Sequence, residues 1–190
     1  MCRLNIRLVI LAAIVACIAL FPCEVTGALK PLTKKDKLRF SKHIFVGTIV
    51  SVAFKDISKA PSFPDWVTRH YKLTVRVDRL GRTTKHTHEN PSHPADETLP
   101  EVGSTVHVMM WKAVSRPEFF TGDVGALSVP EVGDQRTFFT HYLHADPNLR
   151  HMYHDSFPHV EEENMKAYNT MMPNGVGPVT ELDEVQSDLQ

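Results

Sequence analysis

From His70 to Leu80 the chain reads HYKLTVRVDRL, and Tyr71, Leu73, Val75 and Val77 alternate with Lys72, Thr74, Arg76 and Asp78. Period two over so long a run is the mark of a strand with one face in a core and one in water, and it excludes a helix there. An earlier run, HIFVGTIVSVAF at 43–54, repeats the pattern, with Ile44, Val46, Thr48, Val50, Val52 and Phe54 assigned to one face and Gly47, Ser51 and Ala53 to the other. A glycine inside a strand marks a bulge or a sharp coil, so Gly47 is expected at one. STVHVMMW at 104–111 and QRTFFTHYL at 135–143 supply two further strands, and a last one is expected around Met165 to Met172, closed by Pro173-Asn174-Gly175.

The connections are long and polar: KDISKAPSFPDW after the first strand, then 81–103 and 112–134, all interrupted by proline or glycine. Ahead of the strands, Thr33-Lys34-Lys35-Asp36 has the spacing of a capping box and predicts a short helix through Leu38 and Phe40. The final residues, VTELDEVQSDLQ, are acidic and lack aromatics, so 179–190 is expected to be a flexible tail. No repeat at a solenoid period is visible. The expectation is a mainly β fold, a small OB-like (Greek-key) barrel with a short leading helix and long loops, formed by 34–178 as a single domain.

The first residues carry an address. Arg3 and Arg7 precede an unbroken apolar run from Leu8 to Phe21, Pro22 ends it, and Val25-Thr26-Gly27 offers the small-residue exit of a secretory signal peptide. The apolar run has 14 residues, short of the roughly 20 that span a bilayer. Cleavage after residue 27 and a secreted, extracellular domain are therefore expected; the alternative is a membrane anchor formed by residues 8–21. All three cysteines, Cys2, Cys17 and Cys23, lie in this segment, so a cleaved chain has neither disulfides nor thiolate metal sites. Asn90-Pro91-Ser92 is blocked as a glycosylation site by its proline. Cleavage would leave 19 basic and 21 acidic side chains, a balance that argues against a nucleic-acid partner and against binding to anionic membranes.

The phrase His43-Ile44-Phe45-Val46-Gly47-Thr48-Ile49-Val50-Ser51-Val52 resembles the first strand of netrin-like domains, the fold shared with tissue inhibitors of metalloproteinases. Tyr71-Lys72-Leu73-Thr74-Val75-Arg76-Val77, Gly103-Ser104-Thr105-Val106 and Gly133-Asp134-Gln135-Arg136-Thr137-Phe138-Phe139 are similar to later strands of that family. The likeness covers roughly 34–143 and implies a five-stranded barrel. Those inhibitors bind their target's metal through a disulfide-bonded N-terminal cysteine. This chain has no such residue after cleavage, so the resemblance implies no inhibition and no functional residue is carried over.

Two residue types could bear chemistry. Five of the eleven histidines fall between 141 and 159; four form two His-x-x-His pairs, His141/His144 and His151/His154, and His159 follows. Imidazoles with nearby carboxylates suit a divalent transition metal. The first pair falls on a strand end, where a spacing of three points side chains to opposite faces. His151 and His154 with Asp155 are the better candidate ligands, against the plainer alternative of solvated loop histidines. His86, His88 and His93 read as a solvated loop. No nucleophile motif and no phosphate-binding loop is present, so no catalytic residue is assigned and an enzyme is not the first expectation. The second type is aromatic: Trp66, Trp111, Phe119 and Phe120 lie in or beside the loops, where such side chains commonly anchor a partner. Taken together, the residues read as a secreted, non-enzymatic binding module without a cofactor, with an unknown protein or glycan as partner. A histidine-based metal-binding protein or metalloenzyme is the alternative, and a membrane is involved only if the first segment is retained.

Overall fold

The computed structural model describes residues 25–26, 30–58, 65–83, 99–116, 120–121, 124–142, 153, 156–157 and 167–187. Their order is β1 (Val25–Thr26), α1 (Lys34–Phe40), β2 (His43–Ile57), β3 (Val67–Thr83), β4 (Thr105–Ser115), β5 (Phe120–Thr121), β6 (Gln135–Tyr142), β7 (Ala167–Thr170), β8 (Val176–Gly177) and α2 (Thr180–Ser187). The fold is mainly β, and its principal sheet closes on itself in a ring of five strands. Around the ring the order is β2, β3, β4, β7, β6 and back to β2. Every contact is antiparallel except that of β4 with β7, where His107, Val108 and Met109 run parallel to Ala167, Tyr168 and Asn169. A separate two-stranded sheet pairs β1 with β5.

Alternation along β3 and β4 does what the sequence implies. Leu73, Val75 and Val77 meet Val106, Val108 and Met110 inside the ring, together with Phe45, Ile49, Phe138 and Tyr168. The reading of the first strand as one buried face and one exposed face is corrected. His43 to Gly47 are all buried, because Phe45 points into the ring while Ile44 and Val46 enter a second cluster with Phe139 and Leu182 outside it. Register shifts at Ile44/Phe45, Val46/Gly47 and Ile49/Ser51 then break the simple period. Gly47 sits at one of them, and a β-carbon there would lie 2.4 Å from Val75 Cγ1 and 2.7 Å from the Arg76 carbonyl oxygen. Only glycine lets β3 approach so closely.

The capping box forms at Thr33: its Oγ1 accepts from Asp36 N at 3.2 Å, and its own N–H donates to Asp36 Oδ2 at 3.3 Å. The acidic segment expected to fray instead holds α2, and Leu182 is fully buried beside Ile44, Val46 and Phe139. Period two does not reveal this helix, since the buried Leu182 stands among acids. Those acids meet α1 and β3: Glu181 pairs with Lys37 at 2.6 Å, Asp183 with Arg79 at 2.9 Å and Glu184 with Lys34 at 3.8 Å.

Two strands of the ring begin in the same way. Pro100-Glu101-Val102-Gly103-Ser104 enters β4 and Pro130-Glu131-Val132-Gly133-Asp134 enters β6. Each forms a tight turn, with Ser104 N donating to Glu101 O at 3.0 Å and Asp134 N to Glu131 O at 3.1 Å. Their glycines have φ of 83° and 90°, a region other residues rarely adopt. Each turn then clamps a core residue of the neighbouring strand. Gly103 N–H donates to Val77 O while Val77 N–H donates to Ser104 O, and Gly133 N–H donates to Ile49 O while Ile49 N–H donates to Asp134 O.

Candidate functional site

The register of β3 on β4 sets Thr68 opposite Ala113 and His70 opposite Trp111. Trp66, which immediately precedes β3, therefore lies near the same end of this pair as Trp111. Both indoles are partly buried. Trp66 Nε1 donates to Thr68 Oγ1 at 3.1 Å, which folds the ring back along β3. Trp111 alternates with Met110, a residue of the ring's interior, and so turns outward. There it packs with Phe157 against Met109, Tyr153 and Ala167. Gly125 bridges to Lys112, and Ala126 N–H donates to the Trp111 carbonyl at 2.7 Å, so residues 124–126 extend the sheet beside it.

A short covering segment crosses this outer face. His70 is 2% exposed and Ser156 6%, and His70 Nδ1 lies 2.7 Å from Ser156 Oγ. The Tyr153 ring meets the His70 ring edge-on at 5.2 Å, and its hydroxyl donates to Asn169 Oδ1 on β7 at 3.2 Å. Burial pushes the Tyr153 phenol well above its ordinary pKa, so it stays a neutral donor. Lys72 Nζ lies 5.8 Å from the centre of the Phe157 ring. A hydroxyl at this distance from an imidazole is a first requirement of a serine nucleophile. Here both groups are buried, and the bond fastens Ser156 to β3.

Beyond the ring, the hairpin of β2 and β3 carries a more open surface. Phe54 has the Arg69 guanidinium 4.3 Å from its centroid, and Arg69 Nε and Nη2 donate to the two Asp56 oxygens at 2.6 and 2.8 Å. That hydrogen bonding holds the Asp56 carboxyl below its usual pKa. Nearer the clamp turns, Asp78 Oδ2 accepts from Thr48 Oγ1 at 2.6 Å and from Gln135 Nε2 at 2.8 Å, while Arg76 Nε donates to Oδ1 at 3.2 Å. Partial burial raises the Asp78 pKa, but these bonds outweigh it and the net shift is downward. One carboxylate thus ties β2, β3 and β6 together.

Of the residues chosen from sequence, Trp66, just ahead of β3, and Trp111, on β4, come towards the same end of this strand pair. Phe120 lies in β5, paired in parallel with Val25. Phe119 lies outside the described residues, as do His151, His154 and Asp155. Among the described residues no group of three or more His, Cys, Asp or Glu side chains could hold a metal ion. His70, Tyr153, Ser156 and Asn169 were missed. His70 continues the polar face of its strand and so reads as water-facing, and nothing local announces the segment that covers it. No known protein family matches the sequence, and no curated protein matches it either.

Proposed function

We propose that the chain is a secreted, non-enzymatic binding module on an OB-like Greek-key barrel, which holds a protein or glycan partner at the loop end of β3 and β4. The observation that carries this reading is that Trp66, just ahead of β3, and Trp111 on β4 are both partly buried towards the same end of this strand pair, with β5 and Phe120 following closely in the chain. Aromatic side chains that are partly buried, partly open and held by a sheet are well suited to anchor a ligand, since little freedom is lost on binding. The ring order, with its single parallel contact between the third and last strands, fits an OB barrel, whose second and third strands and adjoining loops form the usual ligand face. Export rests on the basic, apolar and small-residue sequence of the first 27 positions. Among the described residues no helix is long and apolar enough to cross a membrane.

The chain has two tryptophans, and both belong to this surface. Intrinsic fluorescence therefore reports on it directly. Screening the exported protein against immobilised glycans and extracellular proteins, then titrating any hit, is expected to change tryptophan emission. Trp66→Ala and Phe120→Ala are each expected to weaken the hit about tenfold or more. A hit that leaves the emission unchanged and binds both variants at full affinity would refute the assignment.

A further inference from the structure

β2 is longer than the ring needs. It pairs with β3 along its length, but with β6 only from His43 to Thr48, and its last bonds on that side join Ile49 to Gly133 and Asp134. The register shift between Ile49 and Ser51 turns the strand away from β6. From Val50 to Ile57 no strand pairs with this second edge among the described residues. Most of the stretch is exposed, with Val50 at 52% and Phe54 at 56%. A strand edge of this kind accepts only another extended strand.

We infer that this edge pairs antiparallel with the same edge of a second copy of the chain, about a twofold axis at Ala53. Core-facing residues of β2 direct their backbone groups to the β6 side, as Ile49 does with Gly133 and Asp134. Side-chain face and backbone direction alternate together along a strand. Val52, packed on the interior cluster, and Phe54, tilted over Tyr71, therefore present N–H and C=O to the open edge. Centring the axis on Ala53 makes Val52 and Phe54 of opposite copies exchange backbone hydrogen bonds and brings their side chains together. Ala53 then faces its own copy across a non-bonded pair, where only a small side chain is needed.

Charge argues against registers centred further along the strand. With the axis at Ala53, Lys55 falls opposite Ser51 and Asp56 opposite Val50. Moving the axis to Lys55 or Asp56 would set like charges face to face, which is unfavourable. The segment Val50–Phe54 carries no charge, and the whole chain's formal net charge is −1, so two copies repel each other little. Asp56 is already neutralised within its own copy by Arg69.

Sedimentation of the exported protein over a concentration series is expected to show a monomer–dimer equilibrium, and Phe54→Glu, at an exposed position beside Arg69, is expected to shift it to monomer with an unchanged unfolding midpoint. Position is read by cysteine. In a background with Cys2, Cys17 and Cys23 changed to serine, Ala53→Cys places two thiols on Cα atoms about 4.5 Å apart, within disulfide range. It should oxidise to a covalent dimer, whereas Ser51→Cys, which faces Lys55, should not. A parent chain that stays monomeric at all concentrations, or equal cross-linking at both positions, would overturn the inference.

Discussion

Among the described residues the ring is covered on its outside in two places, and the two coverings are built differently. Over β2 and β6 lie α1 and α2, held by charge: Lys37 reaches Glu181 at 2.6 Å with side chains 6% and 17% exposed, and its Nζ also lies 4.8 Å from the centre of the Phe139 ring. The Arg82 guanidinium adds donors to the Leu38 and Ser41 carbonyls at the end of α1. Over β3, β4 and β7 lie Tyr153, Ser156 and Phe157, held by hydrogen bonds of the Ser156 and Tyr153 hydroxyls and by aromatic contact. A buried ion pair is costly to assemble and very costly to break singly, whereas a neutral bond is cheaper in both directions. The first covering should therefore fail abruptly when one partner is removed, and the second gradually.

Breaking the charged covering carries the largest expected effect. Lys37→Ala strands the Glu181 carboxylate and should cost about 3–5 kcal/mol in urea unfolding. Lys37→Met combined with Glu181→Leu removes both charges at similar volume and should return most of that loss. If the double variant is as unstable as the single one, charge is not what holds α1 to α2. Next in size is Ser156→Ala, which takes away the bond to His70 Nδ1 and should cost about 1–3 kcal/mol, a loss that added salt leaves unchanged. Smallest is Arg79→Ala, which removes a half-exposed partner of Asp183. Its effect should stay within about 1 kcal/mol and vanish near 1 M salt, where screening reaches about 3 Å. A salt-sensitive Ser156 variant, or an Arg79 variant as damaging as Lys37→Ala, would erase the contrast.

The same contrast governs what could be read from the chain beforehand. Tyr71 to Val77 announce their strand because one face meets the interior and the other carries Lys72, Thr74 and Arg76. His43 to Gly47 announce a strand but not its faces, because α1 and α2 bury the side that alternation leaves for water. Leu182 is one apolar residue in an acidic run, and only the distant Lys37, Arg79 and Lys34 give that run a place to dock. At the candidate site, Trp66 and Trp111 were visible as aromatics of the loops and their borders. Their placement towards one end of the same strand pair was not, since it depends on how β3 registers against β4 across the long intervening connection. His70 was hidden for a related reason: the hydroxyl that meets it lies 86 positions further along the chain.

Lys37 and Glu181 are separated by 144 positions, so nearly the first element of the fold is completed by nearly the last. A growing polypeptide has α1, β2 and β6 in hand well before α2 exists. Until then Lys37 lacks the carboxylate that makes its burial tolerable, and Ile44, Val46 and Phe139 lack Leu182 above them. Any product cut short before Glu181 is left in that state, with an apolar strip in water and a stranded cation beside it, however well its ring has closed. The contact between α1 and α2 thus makes the outer face of β2 and β6 depend on residues far apart in the chain.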